Sequence, residues 1–97
     1  MATYVVLFNW TDQGIKGFKD SPGRVESAND VFGGLDVRIK DIYWTIGQHD
    51  LVCILEAPDP ETLAAALLRL GSQGNLRTTT MRGFTTDEMR AVIAKAG

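Results

Sequence analysis

Apolar and polar residues follow two periods along this chain, and the switches between them mark out its elements. Residues 3–10, Thr-Tyr-Val-Val-Leu-Phe-Asn-Trp, are β-branched or aromatic almost throughout and predict a strand. Thr11-Asp12-Gln13-Gly14 breaks that pattern and can open a helix. A longer helix restarts at Ser21, expected as its N-cap, with Pro22 at the first helical position. Val25, Ala28 and Phe32 then recur at helical spacing and should face inward, and Gly33-Gly34 should end the helix. Residues 37–46 and 49–56 read as two further strands. Gly47-Gln48 between them is short enough to pair them antiparallel. Asp59 and Pro60 start the next helix, with Glu61 near its positive end. Leu63, Leu67 and Leu70 form its apolar stripe, and Gly71 closes it. Residues 76–84 predict a fourth strand. Thr85 with Glu88 forms a capping box for a last helix, whose Met89, Val92, Ile93 and Ala96 are expected on the core.

The order β-α-β-β-α-β-α predicts an α+β fold: a ferredoxin-like βαββαβ unit with an extra C-terminal helix and a four-stranded antiparallel sheet. Residues 1–97 form a single domain, since the chain is too short for two independent cores. Helices on one face of a sheet require only alternate side chains to be apolar. Yet the first strand carries Val5 and Leu7 on one face and Tyr4, Val6, Phe8 and Trp10 on the other, and the third sets Leu51, Cys53 and Leu55 against Val52 and Ile54. Two helices cover one face only. If about five large side chains stay bare on the other, burying them is worth on the order of 10 kcal/mol. Association consumes roughly 4–15 kcal/mol of such a gain. A homodimer joined through the sheet, or a ring of dimers, is therefore expected, the alternative being that the C-terminal helix and loops fold over the bare face.

Composition narrows the functions. Hydrophobic residues make up 44% and charged residues 23% of the chain, ordinary globular values. The net charge of −2 and the scattered cations argue against nucleic-acid binding and against attachment to an anionic membrane. No apolar run approaches the roughly 20 residues that span a bilayer. The opening Met-Ala-Thr-Tyr-Val-Val-Leu-Phe reads as a strand, not a signal peptide. Cys53 is the one cysteine and cannot form a disulfide within the chain, which fits a cytoplasmic location.

Few residues carry visible chemistry. His49-Asp50 is the most tempting pair, but neighbours on a strand point to opposite faces and do not form a dyad. With one histidine in the chain, a His-rich metal site is excluded, and no ligation pattern for haem, flavin or another cofactor is present. His49 reads most simply as a strand start beside the hairpin and Asp50 as an acceptor for turn amides. Trp10, Tyr43 and Trp44 either fill the core or line a cavity for a flat or apolar ligand. In the polar fourth strand Arg77 and Thr79 share a face and could hold an anion or carboxylate. Gly71-Ser72-Gln73-Gly74 reads as a helix stop and turn, and Gly14-Ile15-Lys16-Gly17 is too short for a phosphate-binding loop.

Taken together, residues 3–11, Gly14-Ile15-Lys16, Ser21-Pro22, Arg24-Val25-Glu26, Tyr43-Trp44-Thr45, Gly47-Gln48-His49-Asp50, Glu56-Ala57-Pro58 and residues 74–80 resemble the GYD domain family over nearly the whole chain. The resemblance implies a prokaryotic stand-alone domain with a ferredoxin-like, dimeric α/β-barrel fold, and no established activity. The family motif is Gly-x-Tyr-Asp. Gly47 and Asp50 match it, whereas His49 stands where tyrosine is usual. Both are half-apolar rings with a polar tip, so the exchange points to packing rather than acid–base work at this position.

Two functions follow. The leading one is a homo-oligomeric small-molecule-binding or assembly module without catalysis, whose partners are copies of itself and a small molecule. The alternative is a cofactor-independent oxygenase or isomerase acting on a small aromatic substrate in the sheet–helix cavity. There Trp10, Tyr43 and Trp44 would shape the pocket and His49 or Asp50 would move a proton.

Overall fold

In a computed structural model that describes residues 1–97, strand β1 (Ala2–Trp10) leads into a five-residue helix α1 (Asp12–Lys16) and a short 3-10 turn. Helix α2 (Ser21–Gly34), strands β2 (Arg38–Trp44) and β3 (Leu51–Ala57), helix α3 (Pro60–Gly71), strand β4 (Leu76–Gly83) and helix α4 (Thr86–Ala96) follow. The strands form one antiparallel sheet in the order β2-β3-β1-β4, the ferredoxin-like arrangement expected from the element order.

The pairing register decides which side chains share a face. Across β1 and β3, Tyr4 lies opposite Leu55, Val6 opposite Cys53 and Phe8 opposite Leu51. These six are buried, and they meet Phe32 of α2 with Leu63 and Ala66 of α3 in one core. The inward stripes predicted for α2 and α3 are therefore in place. At the other face Tyr43, Val52, Leu7 and Thr79 make one row across all four strands, and Asp41, Ile54, Val5 and Met81 make the next. No helix covers these rows. Both β1 and β3 alternate between fully and half-buried residues, as central strands with one bare face must.

Local capping behaves as the sequence predicts in two helices. The Asp59 carboxylate accepts from the Thr62 amide at 2.7 Å, and that bond holds its pKa below the ordinary carboxylate value. Thr85 and Glu88 close a reciprocal capping box on α4. Ser21 differs. It lies inside the first turn of α2, buried, and its hydroxyl accepts from the Trp44 indole N–H at 2.9 Å instead of capping a helix amide. The connection between β2 and β3 also differs: it is a six-residue loop over 45–50 rather than a two-residue turn, closed by Thr45 N–H donating to the Asp50 carbonyl at 2.8 Å.

The largest departure is α4. Met89 and Ile93 are 44% and 58% exposed, Val92 and Ala96 are exposed as well, and no residue of the helix is buried. Its apolar stripe does not reach the core. Glu88 is tied to Arg82 at 3.3 Å, and the Arg82 guanidinium lies over the Phe84 ring, so the start of α4 is held at the end of β4. Beyond that turn it extends away from the body of the fold, and the molecule measures 50 × 31 × 18 Å.

Gly14 explains how α1 fits. A Cβ there would lie 2.0 Å from the Asn75 carbonyl oxygen, so α1 can approach the loop before β4 only without a side chain. Thr11 completes the contact, donating through its amide to Asn75 O and through its hydroxyl to Gly74 O. Gly14→Ala should destabilise the fold by about 1–3 kcal/mol in urea denaturation, because the opposing atom is backbone and cannot swing aside.

Burial raises the Cys53 thiol from its ordinary 9.0 to about 12. It should therefore fail to react with a thiol reagent in the native state at pH 8 and react once the chain is unfolded. A raised pKa stabilises the fold fully below pH 9 and loses that contribution as pH climbs toward 12, so stability should fall across that interval. Cys53→Ala should flatten this fall in denaturation curves recorded from pH 8 upward.

Candidate functional site

Two places in the fold gather the residues singled out in the sequence: the end of the sheet where the 45–50 loop meets β1, and the crevice between the sheet and α2. At the first, the Asp50 carboxylate accepts from the Trp10 amide at 2.8 Å, and Asp50 N–H donates to Phe8 O at the same distance. Asn9 sends its amide nitrogen to Gln48 O at 2.7 Å. That leaves its side-chain oxygen to accept from His49 Nδ1–H at 2.8 Å. Thr45 hydroxyl donates to His49 O at 2.5 Å, and Gly47 takes φ +128°, a region that favours glycine. The Gly47-Gln48-His49-Asp50 motif thus clamps the loop onto the last residues of β1. The Asp50 carboxylate, expected to accept from turn amides, accepts instead from an amide of β1, and only its backbone carbonyl bonds the loop, through Thr45 N–H.

The crevice is lined by Phe8, Trp10, Val25, Phe32, Ile42 and Leu76 among others, with Ser21, Arg24, Gln73 and Asn75 its polar members. Arg24 is engaged, donating to the carbonyls of Gly14 and Gly17 at 3.3 and 2.9 Å and so tying the end of α1 to α2. The cavity measures about 40 Å³. A dry protein cavity that holds benzene needs on the order of 150 Å³, so an aromatic ring enters only if α2 moves off the sheet.

The five ligand-binding candidates are not brought together. Trp10 lines the crevice, and Trp44 stands beside it through its bond to Ser21. Tyr43, 62% exposed, lies on the opposite face of the sheet. Arg77 and Thr79 share that open face, as expected from alternation, but on β4 at the far edge from β2. Three strand spacings, about 14 Å, separate Tyr43 from Thr79 in their common row. His49 and Asp50 are outside the crevice, at the loop clamp. No three His, Cys, Asp or Glu side chains gather into a metal-binding group. No helix is long and apolar enough to cross a membrane.

The open apolar face expected from strand alternation is present, and the exposed stripe of α4, expected on the core, enlarges the bare surface. Val5, Leu7, Val52 and Ile54 form its half-buried centre, with Met81 and Tyr43 exposed beside them and the α4 stripe unpartnered in addition. Polar groups stand at one end, where Arg38 pairs with Glu56 at 2.5 Å. A surface of this kind, apolar at its centre with charges at its edge, is built for contact with another macromolecule.

The geometry defines a class: a ferredoxin-like α+β domain with one helix-covered face and one open face. Comparison with known proteins then gives the family. The family model described as GYD domain matches residues 4–93, and the chain belongs to that family. It is 32% identical over 92 residues to the "Glutamine synthetase and cystathionine beta-lyase binding protein" of Thermus thermophilus, spanning 94% of this chain and 97% of that one. Among solved structures, the leucine response regulatory protein LrpA of Mycobacterium tuberculosis superposes with a TM-score of 0.66 at 19% identity. The match covers 88% of this chain and 51% of LrpA, so the chain spans about half the length of that regulator. The structure of TTHA0845 from Thermus thermophilus superposes with a TM-score of 0.57 at 23% identity, over 89% of this chain and 96% of its own. At these identities the two structures show the fold alone.

The loop clamp has a measurable consequence. Asp50→Ala leaves the Trp10 amide without its charged acceptor and should cost about 1.5–3 kcal/mol of stability. Asp50→Asn keeps an oxygen there and should recover most of the loss, as urea denaturation of the two variants will show.

Proposed function

We propose that this protein is a binding and assembly module that associates with itself through the open face of its sheet and engages a protein partner. The observation that carries the reading is the uncovered apolar surface of Val5, Leu7, Val52, Ile54, Met81 and Tyr43. Each of the central four is worth about 1.5–3 kcal/mol when fully buried, so even partial burial of all of them rivals the cost of association. A dimeric α/β barrel, with two sheets face to face, hides all of them by the same contact in both copies. For the partner, the support is the similarity to the Thermus protein, which is named for binding glutamine synthetase and cystathionine β-lyase. An enzyme of amino-acid metabolism of either kind is the partner to test first. The lone, buried Cys53 fits a cytoplasmic setting.

The enzymatic alternative needs a proton-transfer group in the sheet–helix crevice. His49 and Asp50 instead bond to Asn9 and Trp10 at the loop clamp, and Tyr43 is on the other side of the sheet. The binding reading therefore uses more of the observed geometry.

Sedimentation velocity should show a dimer of the 10.6 kDa chain, or a multiple of dimers, at micromolar concentration. A monomer at tens of micromolar would overturn self-association. Leu7→Lys places a charge at the centre of the open face without touching the core. It should weaken the dimer by at least about thirtyfold, the effect of a loss near 2 kcal/mol. Immobilised protein should retain purified glutamine synthetase or cystathionine β-lyase from the same cell. Binding of neither would remove the partner part of the proposal and leave assembly.

A further inference from the structure

The open sheet face is half of an unsolved surface problem, and α4 is the other half. A compact 10.6 kDa protein exposes about 5,500 Å² by the usual scaling of area with mass. This chain exposes 6347 Å². The excess, about 850 Å², is the area that one partner contributes to a standard interface of ~800 Å² per side. The radius of gyration agrees: 14.5 Å against about 12.5 Å for a compact chain of this length. The surplus surface includes α4, whose Met89, Val92 and Ile93 are apolar and exposed.

The occupant follows from symmetry. An isologous interface places the same surface of each copy against its complement on the other. This chain carries an apolar helix stripe without a sheet and an apolar sheet face without a helix. When two sheets stack about a two-fold axis that runs along the strands, the strand order reverses between them. The β4 edge of one copy, from which α4 departs, then stands opposite the β2 edge of the other. On that edge Tyr43 is the exposed apolar residue and Asp41 the neighbouring charge in the next row. Asp41 has no ion-pair partner in its own chain, and neither does Lys95, which flanks the α4 stripe two residues from Ile93. Charge and apolarity thus match between the same two places.

Resting on the self-association proposed above, we infer that α4 is an exchanged arm. In the dimer it lies on the second copy, with Met89, Val92 and Ile93 along the Tyr43 side of that copy's open face and Lys95 near Asp41. The Thr85–Glu88 capping box and the Arg82–Glu88 pair serve this by setting the direction in which the helix leaves β4. The centre of each sheet covers the other, and each arm covers the margin that sheet-to-sheet contact leaves bare.

The test is cross-linking of the full chain carrying Ile93→Cys. That position is exposed, so a benzophenone maleimide attaches there while buried Cys53 stays unmodified. Labelled copies mixed from ¹⁵N and ¹⁴N protein and irradiated should give links between heavy and light chains, from position 93 to peptides within residues 38–57. A dimer whose links all stay within one chain, or reach other parts of the second copy, overturns the arm and leaves the dimer standing. A monomer in sedimentation overturns both. Links that form only after glutamine synthetase or cystathionine β-lyase is added, and reach the enzyme, overturn the arm in favour of the enzyme as its occupant. As a second measurement, Val92→Asp combined with Ile93→Asp changes no buried residue, so its circular dichroism should match the parent. Its dimer dissociation constant should rise about tenfold or more, and an unchanged constant overturns the inference.

Discussion

The antiparallel pairing of β1 between β3 and β4 sets one rule for everything around it: alternate residues on the central strands must go to opposite faces, and both sets are apolar. Tyr4, Val6 and Phe8 bury themselves under α2 and α3 with Leu51, Cys53 and Leu55. Val5 and Leu7 are then committed to the other side with Val52 and Ile54, because a strand cannot turn one set inward without turning the other out. The chain has helices enough for one face. Its open surface is thus a consequence of how its core is built, not an accident of the residues that happen to lie there.

The local devices that hold this arrangement lie at the ends of strands and helices. Asp50, Asn9 and His49 bind the 45–50 loop to the end of β1, so the family motif has a structural role in this protein. Gly14 and Thr11 close the opposite crossing, where α1 meets the loop before β4. Arg24 joins α1 to α2 through two carbonyls, and Trp44 joins β2 to α2 through Ser21. Of the groups that the sequence offered as chemistry, Asp50, His49 and Trp44 are engaged in positioning the elements, while Tyr43, Arg77 and Thr79 stand on the open face. The surface-contact reading proposed above is in keeping with the 32% identity to a Thermus thermophilus protein named for binding two enzymes.

Fold neighbours sharpen the distinction between scaffold and use. LrpA carries this arrangement of strands and helices in about half of a longer chain, at an identity that shows the fold alone. A sheet with one open face is a general platform, and what each family places on it must be read from its own residues.

Much of the scaffold was legible in the sequence because its signals are local. The strands were marked by β-branched runs, α3 by Leu63, Leu67 and Leu70, and the capping residues Asp59, Thr85 and Glu88 act within four positions of themselves. The bare second face was also legible, since alternation alone puts Val5 and Leu7 opposite Tyr4 and Val6. Three things were settled only in the tertiary structure. Ser21 left its helix cap for the Trp44 indole, a partner 23 residues away. Asp50 reached across 40 residues to the Trp10 amide. The apolar stripe of α4 marked a helix that must be covered, yet periodicity says which side of a helix is oily and not which surface will meet it. That depends on the angle at which the chain leaves β4, and there the Arg82–Glu88 contact turns the helix away from its own core.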